Sequence, residues 1–404
     1  MMVSQSGARR YDPDIARLTS EVVDLIWNEL PGYSADKLQK PDLIRSVERY
    51  VRLTINVLRR GETPTFGELA IESDLGSRRA KQNVPLESVI LAFRVTERVL
   101  LLDVLSDRHR WPLKLTRHYA DLVIDTFDRL SQHTVNSYRE TYSVLESLHE
   151  RAQSDLMDAL ISGIALHPAQ LSTWAQMLSV EPGRPYLAVA IATEGEKDPL
   201  KALRLRTRFT LALQPSAVGP VLFGGTSAAQ VGLFSPAGPV ARVIENLKST
   251  IAGLHWDGRL IVGVGTVGED LASAGSSCLE ALSAADVGMR QERRQAVVTY
   301  EAVLVDSLLL DRAKTADALM ATRLRRLEDH PHLLETLQAL VDNDFSQSKT
   351  ARSLFVHINT VAHRLKKIQT LTGYDPLRLN DLLELALAIR YRNLTRGDAA
   401  GADH

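Results

Sequence analysis

The sequence contains one cysteine, few aromatic residues and no long apolar run. Cys278 is the one cysteine among 404 residues, which excludes a disulfide framework and any zinc or iron–sulfur site built on several cysteines. No apolar run approaches the ~18 residues of a membrane-spanning helix. Arginines near the N-terminus are not followed by an apolar run, so we expect no signal peptide. These absences favour a cytoplasmic protein that has no membrane contact, no metal and no other cofactor.

Charge is balanced over the whole chain but not locally. The sequence has 48 Lys and Arg against 49 Asp and Glu, a balance that argues mildly against a nucleic-acid binder. Residues 345–374 instead favour a nucleic-acid binder, because they contain five cations and no carboxylate. The length favours two or three domains at about 100–200 residues each.

The first third of the sequence has helical periodicity. Apolar residues recur at helical spacing over 43–58, and Pro85 opens a second apolar-striped helix that continues to Leu105. Between Pro112 and Gly163 there is neither proline nor glycine. This stretch predicts one very long helix, or two with a brief break. A helix of that length favours pairing with a partner helix in a dimer, although it could also pack on its own domain.

The middle of the sequence alternates strands with helices. Short apolar runs predict strands at 186–192, 260–264 and 297–300 and a hairpin over 221–234, while helical patterns cover 199–212, 240–254 and 269–289. This alternation is typical of a small α/β domain.

The last hundred residues return to helix and contain a helix-turn-helix pattern. A helix over 348–355 turns into a second over 360–371, with Ala351, Leu354, Val361 and Leu365 facing inward. Asparagine and arginine can bond to base edges, and cations neutralise phosphates. The predicted exposed face of the second helix carries Asn359, Thr360, His363, Arg364 and Lys367, and the first helix offers Lys349, Thr350 and Arg352 to phosphates. Such geometry also occurs in helical bundles that do not bind DNA.

The segment 332–393, with TARSLFVHINTVAHRLKKIQTLTGYDP at its centre, resembles the C-terminal DNA-binding domain of PucR-type (CdaR-like) transcription regulators. PGRPYLAVAI, LIVGVG and EALSAADVG resemble a degenerate GGDEF-like domain, and RRAKQNVPLESVILAFRVTERVLL resembles the N-terminal helical domain of RsbR-type co-antagonists. The resemblance implies a DNA face of Asn359, Thr360, Arg364, Lys366 and Lys367. His357, at the turn, completes the residues that we predict to bind DNA. Ile358 stands where the family most often has arginine. Phe355 lies at the turn, where a positive φ would be costly.

The predicted fold class is multidomain α+β. We expect a helical sensor-like domain over 1–150 that ends in the long helix, a GGDEF-like α/β domain with a connecting helix over 151–310, an all-α helix-turn-helix domain over 325–395, and a disordered tail over 396–404. The predicted partners are double-stranded DNA, further copies of the chain in a homodimer or higher oligomer, and an unknown small-molecule effector.

Other functions have weaker support in the sequence. Gly263, Gly265 and Gly268 form a GxGxxG motif after a strand, which is typical of dinucleotide binding, but no acidic residue ends a strand about 20 residues later. Gly224-Gly225-Thr226-Ser227 lacks the carboxylates that a cyclase needs to hold Mg²⁺, so we expect no enzyme activity. A partner-binding scaffold in the manner of stress-response co-antagonists, with little specific DNA binding, is the alternative function.

Overall fold

The computed structural model describes residues 11–34, 37–71, 74–106, 111–194, 198–226, 228–291 and 293–401. It divides into two compact units, residues 1–150 and 151–404. None of the helices in these described ranges is both long and apolar enough to cross a membrane.

The first unit is all-helical, as predicted. Its helices are α1 (Ile15–Glu29), α2 (Lys40–Arg60), α3 (Phe66–Ile71), α4 (Asp74–Lys81), α5 (Leu86–Val104) and the first part of α6 (Leu113–Ile161). Helix α2 ends at Gly61, whose φ of 72° provides a left-handed C-terminal cap. Apolar stripes of α1, α2, α5 and α6 meet in one buried core.

Helix α6 runs unbroken for 49 residues, so the interpretation as a single long helix is confirmed over two helices with a break. The residues of its first part that face the core are Tyr119, Leu122, Val123, Phe127, Leu130 and Tyr138. Further along, Tyr142, Leu145 and Leu148 recur at three-residue steps and are exposed. Those three side chains therefore form an apolar stripe that the first unit's own core does not cover.

The middle of the chain forms a five-stranded mixed sheet. Its strands are β1 (Leu187–Thr193), β2 (Ala217–Gly225), β3 (Ala229–Pro236), β4 (Leu260–Val264) and β5 (Gln295–Thr299). They lie in the order β2-β3-β1-β4-β5. Only the β4–β5 pair is parallel among these described strands, and the chain makes that crossover through a helix.

Helices cover both faces of this sheet. They are α7 (Pro168–Met177), α8 (Pro199–Leu213), α9 (Val240–Ala252) and α10 (Ala274–Arg290). Strand β1 alternates large side chains toward the α8–α9 core with alanines toward the α10 core. The alanines leave room for α10 to lie close to the sheet.

Six further helices complete the second unit: α11 (Leu304–Asp311), α12 (Ala313–Leu324), α13 (Pro331–Asp342), α14 (Gln347–Ser353), α15 (Ile358–Thr372) and α16 (Leu379–Gly401). The tail predicted to be disordered from residue 396 differs from the structure, because α16 includes residues up to Gly401. Alanines at 399 and 400 favour continuation of a helix. Residues 402–404 lie outside the described residues.

Candidate nucleic-acid interface

Helices α14 and α15 form a helix-turn-helix whose two N-termini are capped by their own sequence. The Ser346 hydroxyl accepts a bond from the Lys349 N–H at the start of α14. At the start of α15, the His357 Nδ1 accepts from the Asn359 N–H at 3.2 Å. Gly373, with a φ of 85°, ends α15 in the left-handed conformation. His357 is therefore bound through one nitrogen to its own helix.

Three of the four residues predicted to face inward are buried. Ala351, Val361 and Leu365 are buried in the core that α13 and α16 complete. Ala351 allows α14 and α15 to cross closely, since a larger side chain there would push the helices apart. Leu354 is half-buried at the end of α14.

One face of α15 is polar, cationic and exposed. Asn359, Thr360, His363, Lys366 and Lys367 are all exposed, and their spacing of three and four residues places them on a single face. Val361, Leu365 and Ile368 occupy the opposite, buried face. The geometry brings these five predicted residues together in one row.

Arg364 departs from the prediction that it lies on the exposed face. It is half-buried, and its Nη1 donates to the Thr336 Oγ1 on α13 at 3.0 Å. The Thr336 hydroxyl is itself buried and donates to the His332 carbonyl at 2.7 Å. Arg364 thus ties α15 to α13, at the edge of the exposed row.

Thr350 also departs from its predicted contact with phosphates. Its side chain is completely buried, and its hydroxyl donates to the Ser346 carbonyl at 2.9 Å within α14. The other two predicted residues of α14, Lys349 and Arg352, are exposed. Lys349 pairs with the exposed Asp344 at 3.2 Å, an ion pair that solvent weakens and a phosphate can replace.

The start of α13 adds histidines to the cationic side of this domain. Desolvation lowers the pKa of His332, and the nearby positive charges of Arg364, Lys367 and His330 lower it further, against a smaller opposing effect of Glu335. Thr336 and His332 were not predicted from the sequence to belong to this site. The spacing of the apolar residues along α13 could have identified these two residues, because it shows which side of that helix faces α15.

Helix α10 packs directly against the glycine motif at 263–268. A Cβ on Gly263 would lie 2.0 Å from the Ala281 carbonyl oxygen, and one on Gly265 would lie 2.3 Å from the Ser277 carbonyl oxygen. Both obstructions belong to α10, so these glycines serve the close approach of helix and sheet. The structure therefore favours the packing interpretation over dinucleotide binding.

The remaining candidates for chemistry are Cys278 and the segment from Gly224 to Ser227. Burial raises the pKa of the Cys278 thiol to about 12, which disfavours the reactive thiolate. Gly224 and Gly225 end β2, and Ser227 lies outside the described residues. Within the described ranges, no group of three or more His, Cys, Asp or Glu side chains is placed to hold a metal ion.

Three family models match successive parts of the chain. Residues 16–153 match the RsbT co-antagonist protein rsbRD N-terminal domain, and residues 162–287 match the GGDEF-like domain. Residues 333–391 match the PucR C-terminal helix-turn-helix domain. All three resemblances seen in the sequence are thereby confirmed.

Individual relatives match shorter stretches. An uncharacterized protein of Mycobacterium tuberculosis (strain ATCC 25618 / H37Rv) is 37% identical over 128 residues, which is 31% of this chain and 30% of that protein. The carbohydrate diacid regulator of Escherichia coli (strain K12) is 34% identical over 88 residues, or 22% of this chain and 23% of the regulator. The chain thus matches less than a third of the length of these relatives.

A crystal structure of a regulator of polyketide synthase expression from Bifidobacterium adolescentis is 18% identical, with a TM-score of 0.33 over 60% of this chain and 98% of that chain. This likeness is too low to support an argument about either fold or function. From the three domain matches, the chain therefore combines an RsbRD-type N-terminal domain, a GGDEF-like middle domain and a PucR-type C-terminal helix-turn-helix domain.

Proposed function

We propose that this chain is a DNA-binding transcriptional regulator without enzyme activity. The observation that carries the proposal is the exposed row of α15, which offers base-reading and cationic side chains inside a 30-residue window free of carboxylates. The match of residues 333–391 to the PucR helix-turn-helix domain supports it. So does the similarity to a relative named carbohydrate diacid regulator.

We expect the residues of the two helices to have different roles in DNA binding. Asn359, Thr360 and His363 lie near the N-terminus of α15 and are the residues we expect to reach base edges in the major groove. The cations that we expect to contact phosphates are Lys349, Arg352, Lys366 and Lys367. His357 caps the helix and presents its other nitrogen at the same end. Arg364 holds the helix in place from its edge, and Thr350 stabilises α14.

The regulator would act as a homodimer or a higher oligomer. A single recognition helix reads only a few base pairs, and two copies on one DNA multiply the free energy of binding. The exposed apolar stripe of α6 at Tyr142, Leu145 and Leu148 supports this proposal, because a second copy of the same helix can cover it.

The domain organisation follows from the same proposal. The helical domain over 1–150 and the GGDEF-like domain over 151–310 would respond to a signal, such as a small-molecule effector, and the domain over 325–395 would bind the operator. A signal changes DNA binding only if it binds one arrangement of the recognition helices more tightly than the other.

The test is selection of DNA from a random pool by the purified full chain, followed by fluorescence anisotropy with the selected fragment. We expect a preference of at least a thousandfold over unrelated DNA at physiological salt. The logarithm of affinity should fall linearly with the logarithm of salt concentration. Weak binding that disappears with salt equally for every fragment would contradict the proposal and favour a partner-binding scaffold.

A further inference from the structure

The turn between α14 and α15 presents a bulky side chain in an unfavourable backbone conformation. Phe355 has a φ of 54°, in the left-handed region that favours glycine. Its backbone is fixed there by two bonds: the Phe355 N–H donates to the Arg352 carbonyl at 3.2 Å, and the Val356 N–H donates to the Ala351 carbonyl at 3.0 Å. The left-handed conformation is therefore part of the helix-turn-helix geometry.

The Phe355 ring does not contribute to the core. It is 96% exposed, more than any other large apolar side chain in the described ranges. A non-glycine residue in this conformation costs about 1–2 kcal/mol, and an exposed ring recovers none of that through burial. Glycine would satisfy the turn at lower cost, so the fold alone does not account for phenylalanine.

Ile358 extends this apolar surface onto the recognition helix. It is the first residue of α15 and is 42% exposed. Ile358 immediately precedes Asn359, the first residue of the exposed polar row. Phe355 and Ile358 thus form an apolar edge beside the base-reading end of α15.

The surroundings of this edge favour DNA over a protein partner. The cations of the exposed row and the absence of carboxylates over 345–374 complement a polyanion. Two side chains are also far too small an area for a protein interface, which needs about 800 Å² from each partner. In a major groove, the apolar feature available to such an edge is the 5-methyl group of thymine.

We propose that Phe355 and Ile358 contact thymine methyl groups next to the base read by Asn359, and that they give the chain a preference for thymine there. This inference depends on the proposed DNA-binding function and adds to it a class of base and the two side chains that select it.

The experiment replaces thymines of the selected DNA fragment one at a time by deoxyuridine, which removes only the methyl group. We expect the full chain to lose about three- to tenfold in affinity at each contacted position, the size of effect expected for one buried methyl. Phe355→Gly should lose affinity for the thymine fragment by a similar factor and become insensitive to the methyl at one of those positions. Ile358→Ala should do so at a neighbouring position.

The chain offers a matched control for the glycine substitution. Phe345 also has a positive φ, of 61°, and a partly exposed ring, but it precedes α14. Phe345→Gly should keep the sensitivity to every thymine methyl. Phe355→Gly should be at least as stable thermally as the wild type, because glycine adopts the left-handed conformation readily.

Two results would overturn the inference while leaving the proposed function intact. In the first, Phe355→Gly discriminates thymine from deoxyuridine as the wild type does. In the second, it loses affinity equally for fragments with and without the methyl. Failure to select any DNA sequence at all would instead contradict the proposed function.

Discussion

Two short motifs of this chain suggest a ligand on sequence grounds: the glycines of 263–268 and the polar row of α15. The fold encloses the first and exposes the second. Helix α10 occupies the space above Gly263 and Gly265, whereas the side chains from Asn359 to Lys367 that form the row face solvent. A motif becomes a candidate site only when tertiary packing leaves its functional atoms accessible.

The largest effect is expected at the enclosed motif. Gly263→Ala places a methyl 2.0 Å from the Ala281 carbonyl oxygen and 2.5 Å from the Ala285 nitrogen, both in the α10 backbone. We expect a loss of about 3 kcal/mol in the free energy of unfolding, because overpacking against a backbone is poorly relieved. Thermal and urea denaturation would measure it.

Gly238→Ala is the matched control, since its new methyl would meet nothing within 4 Å. A Gly263→Ala protein of normal stability would refute the packing role. Stabilisation of the wild type by NAD or ATP would support the dinucleotide hypothesis again. A bound ligand at a hundredfold excess over its Kd adds about 2.7 kcal/mol to the free energy of unfolding.

At the exposed motif, the largest effect should fall on base recognition. Asn359→Ala removes the amide that we expect to contact a base, and affinity for the selected DNA should fall by about 2 kcal/mol, roughly thirtyfold. The thermal stability of the Asn359→Ala variant should not change, because the Asn359 side chain is exposed. Gln369→Ala, an exposed change later on α15, should retain wild-type affinity. Equal losses in the two variants, measured by anisotropy, would argue against Asn359 as a base contact.

Variants of Arg364 and Lys367 distinguish a residue that stabilises the domain from a residue that contacts phosphate through its charge, within the same helix. Arg364→Ala breaks the bond to Thr336 and should destabilise the domain by about 1 kcal/mol. Lys367→Ala should leave stability unchanged and reduce the slope of log affinity against log salt by about 0.9. Lys314→Ala, an exposed lysine on α12, should change neither quantity. A Lys367→Ala protein with an unchanged slope would remove this residue from the phosphate contacts.

The smallest effect concerns pH. The pKa of His332 is lowered by desolvation and by Arg364, Lys367 and His330, so the folded chain binds fewer protons at this site than the unfolded chain. Stability from this site is therefore lost as pH falls below about 6.5, the ordinary value for histidine.

His332→Gln should flatten the dependence of the melting temperature on pH between 7 and 5, whereas His255→Gln, an exposed change in the GGDEF-like part, should not. A His332→Gln protein with the wild-type profile would show that the crowding of cations around α13 has no measurable effect on stability.

Local patterns were sufficient to predict most of the elements. The absence of proline and glycine between 112 and 163 predicted α6, and short apolar runs located β1 and β4 within a residue or two. Helix α1 and helix α7 were not predicted. The GxGxxG pattern was ambiguous, because a glycine that admits a phosphate and a glycine that admits a helix look the same in sequence.

The sequence by itself determined the helix-turn-helix, the carboxylate-free window and the resemblance of three successive parts of the chain to known domains, since each depends on residue identity and spacing. Tertiary structure decided which of the selected residues are accessible. Arg364 turns toward Thr336 and Thr350 is buried because α13 packs against both helices, and spacing along α14 or α15 carries no information about that neighbour. The same packing leaves the Phe355 ring in solvent, so the fold, more than the motif, defines the surface that DNA would meet.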